Sequence, residues 1–301
     1  MTEPLAHEQA GWEEGVPPES SHGSFRDVWR RLRRDRLAVG SLALLLASLA
    51  LSAAAPWLAP YDPNETNLAL RLLPPGSPGH WLGTDHLGRD MLSRLLYGGQ
   101  ASLVVGFTAV LLAMSLGVVL GLLTGYYRGI VDSVVMRVID LLLAFPAVLL
   151  AIAVIAALGP GLMNAMLAVA VVGIPYYTRI VRSSVLSLRE KEFVEAGRAL
   201  GLSDVRLMAM HILPNCLSPI LVAATLDVGW MIMAAAGMSF LGLGAQPPQA
   251  EWGVMLSEGR NFMRVGPHES VLPGLAIFLV VLALNLLGDG LRDALDPRLR
   301  A

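Results

Sequence analysis

Residues 101–127 read ASLVVGFTAVLLAMSLGVVLGLLTGYY, a run that contains no charged side chain. An α-helix rises about 1.5 Å per residue, so about 20 apolar residues are enough to cross the roughly 30 Å hydrocarbon core of a bilayer. The run exceeds that length, and it is too apolar for the surface of a water-soluble domain. It therefore predicts a helix that spans a membrane.

The composition of the whole chain agrees with a membrane location. Of 301 residues, 54% are apolar and only 15% are charged, whereas soluble domains carry about 25% charged residues. The net charge of −2 gives no indication of a nucleic-acid partner. The only lysine, Lys191, is followed by Glu192, so the chain lacks the Gly-Lys-Ser/Thr sequence of a phosphate-binding P-loop. Cys216 is the only cysteine and cannot form an intramolecular disulfide.

Five further apolar runs bring the predicted number of membrane-spanning helices to six. In chain order the six runs are 37–59, 101–127, 134–158, 162–178, 217–241 and 272–287. The third and fourth are separated only by residues 159–161, Gly-Pro-Gly, and Pro175 is expected to break the fourth. The predicted fold class is therefore all-α, in a polytopic integral membrane protein.

The basic residues predict the orientation. With the amino terminus inside and the sides alternating, seventeen of the 22 lysines and arginines lie on the inner side and five on the outer side. This distribution satisfies the positive-inside rule, so both termini are expected in the cytosol and the protein in the plasma or inner membrane. Six of the inner arginines lie between Arg26 and Arg36, which predicts either a stop-transfer anchor or a short interfacial helix.

The longest inner loop, residues 192–215, has helical periodicity. The apolar positions of a first helix are Phe193, Ala196, Gly197 and Leu200, and those of a second are Val205, Met208 and Ile212. Glycine at position 201 is typical of the residue with a left-handed backbone conformation that ends a helix. Serine at position 203 is typical of the N-cap position of the next helix. The second helix is expected to stop before Pro214. From the residues alone, the loop is either a compact pair of helices on the cytosolic surface or an ordinary loop packed on the bundle.

One acid lies deep in a predicted span. Asp227 is near the middle of the fifth run, where an ionised carboxylate costs roughly 2.5–3.5 kcal/mol to insert. Either Asp227 lines a polar path through the protein, or it forms a structural hydrogen bond to a neighbouring span, for example to Asn285, or to another subunit.

No catalytic or metal-binding set is predicted. No Ser/His/Asp set or carboxylate pair lies on one side of the membrane. His80 and His86 share an exterior loop with Asp85 and Asp90, but the two histidines do not have the three-to-five-residue spacing of zinc pairs. We therefore expect no metal site and no cofactor.

The inner loop resembles the EAA loop of ABC-importer permeases, whose signature is Glu-Ala-Ala, three residues, Gly, nine residues, Ile, one residue and Leu-Pro. The matching residues are Glu195, Ala196, Gly201, Leu213 and Pro214. Gly197 replaces the second alanine, and His211 stands at the isoleucine position. The sequence His-Ile-Leu-Pro-Asn is similar to that of the dipeptide, oligopeptide and nickel branch of the family.

Two more stretches are similar to C-type subunits of this branch. One is LGTDHLGRD at residues 82–90, before the second span. The other is SFLGLG at 239–244, followed by Pro-Pro at 247–248 and Glu-Trp-Gly at 251–253. The resemblance covers about residues 25–298. Many relatives carry an acid at the position of Ala235, and this chain does not.

The resemblance implies an ABC type I importer permease fold with a defined organisation. The segments are a disordered cytosolic tail (1–24), a basic segment with the first span (25–60), an exterior loop (61–100), a five-helix core (101–291) that contains the EAA loop (192–215), and a cytosolic tail (292–301). The implied partners are a homologous second permease subunit, two cytosolic ATPases and an external solute-binding protein. The implied ATPase-coupling residues are Glu195, Ala196, Gly197, Gly201, Leu213 and Pro214, with Asp227 on the translocation path.

The implied function is ATP-driven import of dipeptides, oligopeptides or related solutes such as glutathione or nickel chelates. Two other functions fit a six-span protein. An ion-coupled secondary transporter predicts inverted repeats and several embedded acids, whereas the sequence has no visible repeat and one mid-span acid. A membrane scaffold without transport activity predicts no dependence on an ATPase.

Overall fold

The computed structural model describes residues 25–295, and the regular structure in this range is helical, as predicted. The helices are α1 (Phe25–Leu32), α2 (Arg36–Ala53), α3 (Ala55–Leu58), α4 (Met91–Tyr127), α5 (Gly129–Leu143), α6 (Ala147–Leu158), α7 (Leu162–Leu188), α8 (Glu192–Ala199), α9 (Asp204–Leu207), α10 (Leu213–Phe240), α11 (Trp252–Gly259) and α12 (His268–Leu295). The predicted tail 1–24 and the end of the tail predicted at 292–301 lie outside the described residues.

The six predicted spans are present as five unbroken helices and one broken pair. Within residues 25–295, the helices long and apolar enough to cross a membrane are α2, α4, α7, α12 and the continuous helix Asp204–Phe240. The third predicted span consists of α5 and α6, which are bent by 96° relative to each other. Pro146 explains the break, because it donates no backbone hydrogen bond and disfavours a helical conformation at the residue before it.

Four spans extend beyond the apolar runs that predicted them, namely α4, α7, the continuous helix Asp204–Phe240 and α12. α4 begins at Met91 rather than at residue 101, because Arg94 is buried in ion pairs and does not end the span. α7 continues through Pro175 to Leu188, so the predicted break at Pro175 is wrong. Pro175 is buried, and proline is tolerated inside a membrane helix where neighbouring helices and local adjustments stabilise the backbone.

α4 and α7 approach each other closely through a stripe of glycines on α4, which are Gly117, Gly121 and Gly125. A Cβ atom at these three positions would lie 2.4 Å, 2.6 Å and 2.7 Å from the Cβ atoms of Tyr177, Val181 and Val185, respectively. Small residues four apart on one helix face allow this approach in membranes, where van der Waals packing drives helix association. The contact forms the centre of the bundle.

α12 joins the remaining spans to this centre. Gly288 of α12 leaves room for Leu226 of α10, and Gly290 leaves room for Ala38 of α2. The first span therefore packs on the outside of the bundle, against the last one, while α4, α7, α10 and α12 enclose the apolar core.

Replacing Gly121 with leucine should force α4 and α7 apart, because the added side chain has no space between them. We expect the thermal midpoint of the detergent-solubilised protein to fall. The free energy of unfolding should decrease by about 1–3 kcal/mol, as is usual for overpacked cores. Gly40→Leu in α2 is a matched control, because nothing lies within 4 Å of a Cβ atom at Gly40. Equal losses in the two variants would contradict the packing argument.

Candidate functional site

The inner loop folds as two helical segments joined at Gly201, as predicted. Gly201 has a φ of +77°, a left-handed conformation that residues with a side chain rarely adopt. Ser203 occupies the N-cap position of α9, although its side chain makes no capping hydrogen bond. We refer to residues 192–207, which comprise α8, α9 and the turn between them, as the knob.

The two helices of the knob pack closely because residue 197 is a glycine. Val194 and Leu207 are fully buried, and a Cβ atom at Gly197 would lie 2.6 Å from Cδ2 of Leu207. The glycine that replaces the second alanine of the EAA signature therefore allows α8 to approach α9.

Polar contacts attach the knob to the C-terminal end of α4. The hydroxyl of Tyr126 donates to Oδ1 of Asp204 at 2.6 Å, and the guanidinium of Arg198 lies 5.3 Å from the centre of the Tyr126 ring. Arg189, which follows α7, donates from Nη1 to the backbone oxygen of Tyr126 at 2.7 Å. The end of α4 thus contacts both helices of the knob, through Arg198 of α8 and Asp204 of α9.

The knob turns most of its predicted apolar positions away from the bundle. Of the four positions that predicted the apolar face of α8, only Gly197 is buried, whereas Phe193, Ala196 and Leu200 are exposed. Leu200 is 82% exposed, and Val205 of α9, also predicted to be on an apolar face, is 69% exposed. Phe193, Ala196 and Leu200 therefore form an exposed apolar stripe on α8, with the exposed Glu195 on the same helix.

The predicted end of the second helix before Pro214 is wrong. α9 continues through a π-helical turn, Met208–Ile212, directly into α10. In this turn the backbone N–H of Leu213 donates to the oxygen of Met208, one residue further back than in an α-helix. Because Pro214 has no N–H to donate, it is tolerated in the first turn of α10. Leu213 and Pro214 therefore lie within one continuous helix that links the knob to the fifth span.

Asp227 is held by α7 within the bundle. The hydroxyl of Tyr177 donates to Oδ2 of Asp227 at 2.8 Å, while Oδ1 makes no hydrogen bond within the described part of the chain. The ring of Tyr176 lies edge-on to that of Tyr177, with the ring centres 5.5 Å apart, and Tyr176 is exposed. Within residues 25–295, the predicted alternative partner, Asn285 on α12, does not bond to Asp227, which accepts from Tyr177 instead. Asp227 thus has one oxygen fixed by a neighbouring span and the other available.

A second polar region was not predicted from the sequence. On the side of the bundle opposite the knob, Arg89 and Arg94 are each 1% exposed, and both donate to Oε2 of Glu258, at 2.8 Å and 3.0 Å. Glu258 is separated from them by 169 and 164 residues, so local spacing could not have found the pairing. The signals in the sequence were that both arginines precede an apolar run and that Arg89 belongs to the stretch LGTDHLGRD at 82–90.

The same region brings together possible metal ligands. Ligand atoms of Asp85, His86 and Glu269 lie within 4.8 Å of one another. The carboxylate of Asp85, however, already accepts hydrogen bonds from the backbone N–H groups of Leu87 and Arg89 and from Nε of Arg89. These bonds use most of the capacity of the Asp85 carboxylate as an acceptor. The set of three residues is therefore a poor fit for a metal ion.

Two family models match the chain. Residues 117–301 match the model described as the binding-protein-dependent transport system inner membrane component. Residues 23–75 match the N-terminal membrane domain of oligopeptide transport permease C.

Similar proteins of almost the same length agree with these matches. The dipeptide transport system permease protein DppC of Alkalihalophilus pseudofirmus is 46% identical over 288 residues, which cover 95% of this chain and 94% of that protein. The glutathione transport system permease protein GsiD of Pectobacterium atrosepticum is 47% identical over 277 residues, which cover 92% of each chain.

The fold also resembles a solved membrane transporter structure. A chain of the MetNI methionine ABC transporter superposes with a TM-score of 0.56 over 68% of this chain and 98% of that chain, at 20% identity. The predicted permease fold and the predicted family are therefore confirmed. The chain is a multi-pass membrane protein that belongs to the family of binding-protein-dependent transport system inner membrane components.

Proposed function

We propose that this chain forms half of the translocation path of an ATP-driven importer for short peptides and is coupled to cytosolic ATPases by its knob. A homologous permease would supply the other half of the path, and an external solute-binding protein would deliver the substrate. The observation that carries the proposal is the exposed stripe of α8, in a chain whose relatives are permeases of transport systems.

The proposed docking surface is the outer face of α8. Exposed apolar side chains such as Phe193 and Leu200 are unfavourable in water and are typical of a surface that a partner covers. Glu195 lies beside them and matches the acid of the EAA signature, which in that family helps to seat the loop in an ATPase groove. Since the knob is continuous with α10 and contacts α4, movement of a docked ATPase would reach two spans directly. This arrangement supports alternating access, in which ATP binding and hydrolysis switch the open side of the path.

The relatives support a peptide as the substrate. One transports dipeptides and the other glutathione, according to their names, and both solutes combine an ammonium group with carboxylates on a short peptide backbone. Oligopeptides and nickel chelates are related solutes of the same branch. The names of the DppC and GsiD relatives mention neither of them.

Asp227 is proposed to line the path and to meet the ammonium group of the substrate. An acid at mid-span depth normally faces a polar cavity or a partner rather than lipid. Its geometry supports both parts of this role, because Tyr177 fixes one oxygen and leaves the other available to a ligand. The competing role is structural, with the hydrogen bond to Tyr177 serving only to hold α7 against α10.

The proposed orientation places the knob and both termini in the cytosol. It rests on the seventeen-to-five distribution of basic residues and on the assignment of the knob as the ATPase-docking surface. The polar region around Glu258 then lies on the exterior side, where the solute-binding protein would dock.

Glu195→Lys tests the coupling role. We expect uptake and substrate-stimulated ATP hydrolysis to fall at least about tenfold while the subunit still inserts, because like charges at an interface cost several kcal/mol. Glu190→Lys is the matched control. Its side chain is 64% exposed and forms surface ion pairs with Arg128 and, at 3.5 Å, with Arg189, each of which contributes at most about 1 kcal/mol. Normal uptake by Glu195→Lys would indicate that the knob serves only to pack the bundle, as a scaffold or secondary transporter would allow.

Asp227→Asn should leave assembly intact and reduce transport of peptides with a free ammonium group by about tenfold or more, because it keeps the shape and the bond to Tyr177 but removes the charge. Tyr177→Phe is the control for the hydrogen bond alone, and Asp227→Leu removes both features. Uptake of radiolabelled peptide and recovery of the assembled complex are measured together. A structural role predicts the reverse pattern, with normal transport by Asp227→Asn and lost assembly in the other two variants.

Cysteine labelling tests the orientation in a Cys216→Ala background. Gln249 and Ser187 are both exposed and lie on opposite sides in the proposed topology. A cysteine at position 249 should react with a membrane-impermeant maleimide in intact cells, and one at position 187 should react only after permeabilisation. Labelling of position 187 from outside would overturn the orientation.

A further inference from the structure

Six charged or ionisable side chains join the segment before α4 to α11 and α12. Asp85, His86 and Arg89 come from that segment, Arg94 from the first turn of α4, Glu258 from α11 and Glu269 from the first turn of α12. We refer to these six residues as the exterior clamp. The clamp connects elements that are far apart in sequence, so it fixes how the exterior ends of several spans are placed relative to one another.

The two arginines form the centre of the clamp. Arg89 bridges Asp85 and Glu258, and Arg94 bridges the same two carboxylates, with its Nε 3.5 Å from Asp85. Arg94 also donates from Nη1 to the backbone oxygens of Pro63, at 3.2 Å, and Pro248, at 3.3 Å. The loop after α10 is thereby tied to the clamp as well.

The clamp has three carboxylates and only two guanidinium groups. Glu269 is the carboxylate that neither guanidinium contacts, and its Oε1 lies against Nδ1 of His86. Its other oxygen, Oε2, is buried and has no hydrogen-bond partner among residues 25–295, and the residue is 2% exposed. An uncompensated charge at such a site is strongly destabilising. A sixth charge, positive and next to Glu269, would make the clamp neutral.

His86 is placed to supply that charge. Its ring stacks on Phe262 with the ring centres 4.9 Å apart, which holds Nδ1 toward Glu269. The side chain is still 19% exposed, so it can exchange protons with the exterior solution.

We propose that His86 and Glu269 are positioning residues for transport: protonated His86 neutralises Glu269 and holds the loop 61–90 on the first turn of α12. Only the transport part of this inference rests on the proposed function. While the clamp is closed, the exterior ends of α4, α11 and α12 move as one unit. When His86 loses its proton, the buried carboxylate of Glu269 is left without a counter-charge and the loop separates from α12.

The electrostatic surroundings favour the protonated form. The hydrogen bond to Glu269 raises the pKa of His86 above its ordinary value of 6.5, and the charges of Asp85 and Glu258 act in the same direction, while burial opposes them. Other ionisable groups on the packed elements include Arg89 and Arg94, which bind Asp85 and Glu258, and Arg260, which lies on the same short helix as Phe262. Asp90 and His80 pair with each other, and Nε2 of His268 lies 2.9 Å from the oxygen of Thr84. Because the pKa is raised in the folded state, the stabilisation is complete below pH 6.5 and is lost as the pH rises through the raised value.

Hydrogen–deuterium exchange of the assembled transporter tests the clamp. Protection factors, corrected for the intrinsic effect of pH on exchange, are measured for peptides from residues 61–90 between about pH 6 and pH 9. In the wild type we expect protection to fall by up to about tenfold per pH unit above pH 6.5, as loss of one proton requires. His86→Gln should have low protection without this pH dependence, and His86→Lys, which stays cationic, should have high protection throughout. His211→Gln, which removes a histidine on the knob side, should behave like the wild type.

Transport provides the second measurement. Uptake by the wild type should fall over the same range of exterior pH, and uptake by His86→Lys should not. The proposal would be overturned if protection and uptake of the wild type did not change with pH, or if the change persisted in His86→Gln. It would also be overturned if a chelator abolished the change, because a metal ion at Asp85, His86 and Glu269 would then supply the positive charge. If the complex transports no peptide at all, the proposed function fails, whereas the exchange result still decides whether the clamp exists.

Discussion

The close approach of α4 to α7 is the contact on which the rest of the structure depends. In a bilayer, apolar side chains gain nothing by leaving lipid for another apolar surface, so tight packing must hold the helices together. The glycines of α4 provide that packing along three successive turns. α4 has 37 residues and is therefore about 55 Å long. It begins beside the clamp at Arg94 and ends beside the knob at Tyr126, so one rigid helix connects both polar regions.

The two polar regions use charge in opposite ways. Around Arg89 and Arg94 the charges are buried and paired within the chain, which fixes the ends of the spans that lie there. On the knob, Glu195 and its apolar neighbours are exposed. Between them, Asp227 accepts a hydrogen bond from Tyr177 within the bundle. The charged side chains are therefore buried and paired with one another at one end of the bundle and exposed at the other.

The features that could be predicted from the sequence depend on local rules. The spans could be predicted because lipid requires about 20 consecutive apolar residues, and Gly201 because few residues other than glycine adopt a left-handed conformation. Periodicity predicted the helix α8 but not which of its faces is buried, since it cannot distinguish an apolar face that packs against the chain from one that stays exposed. The bonds of Glu258 and Glu269 to the segment before α4 could not be predicted, because more than 160 residues separate the partners. The continuity of α9 with α10 was missed because Pro214 usually ends a helix, and the π-helical turn removes that restriction.

The π-helical turn at Met208–Ile212 also sets the rotation of α10 about its own axis. Such a turn contains one residue more than an α-helical turn, and each residue advances an α-helix by about 100°. If this segment were regularly α-helical, every side chain beyond it would point about 100° away from its present direction. Asp227 would then no longer face Tyr177. The direction in which the mid-span acid points is therefore decided fifteen residues earlier, at the junction with the knob.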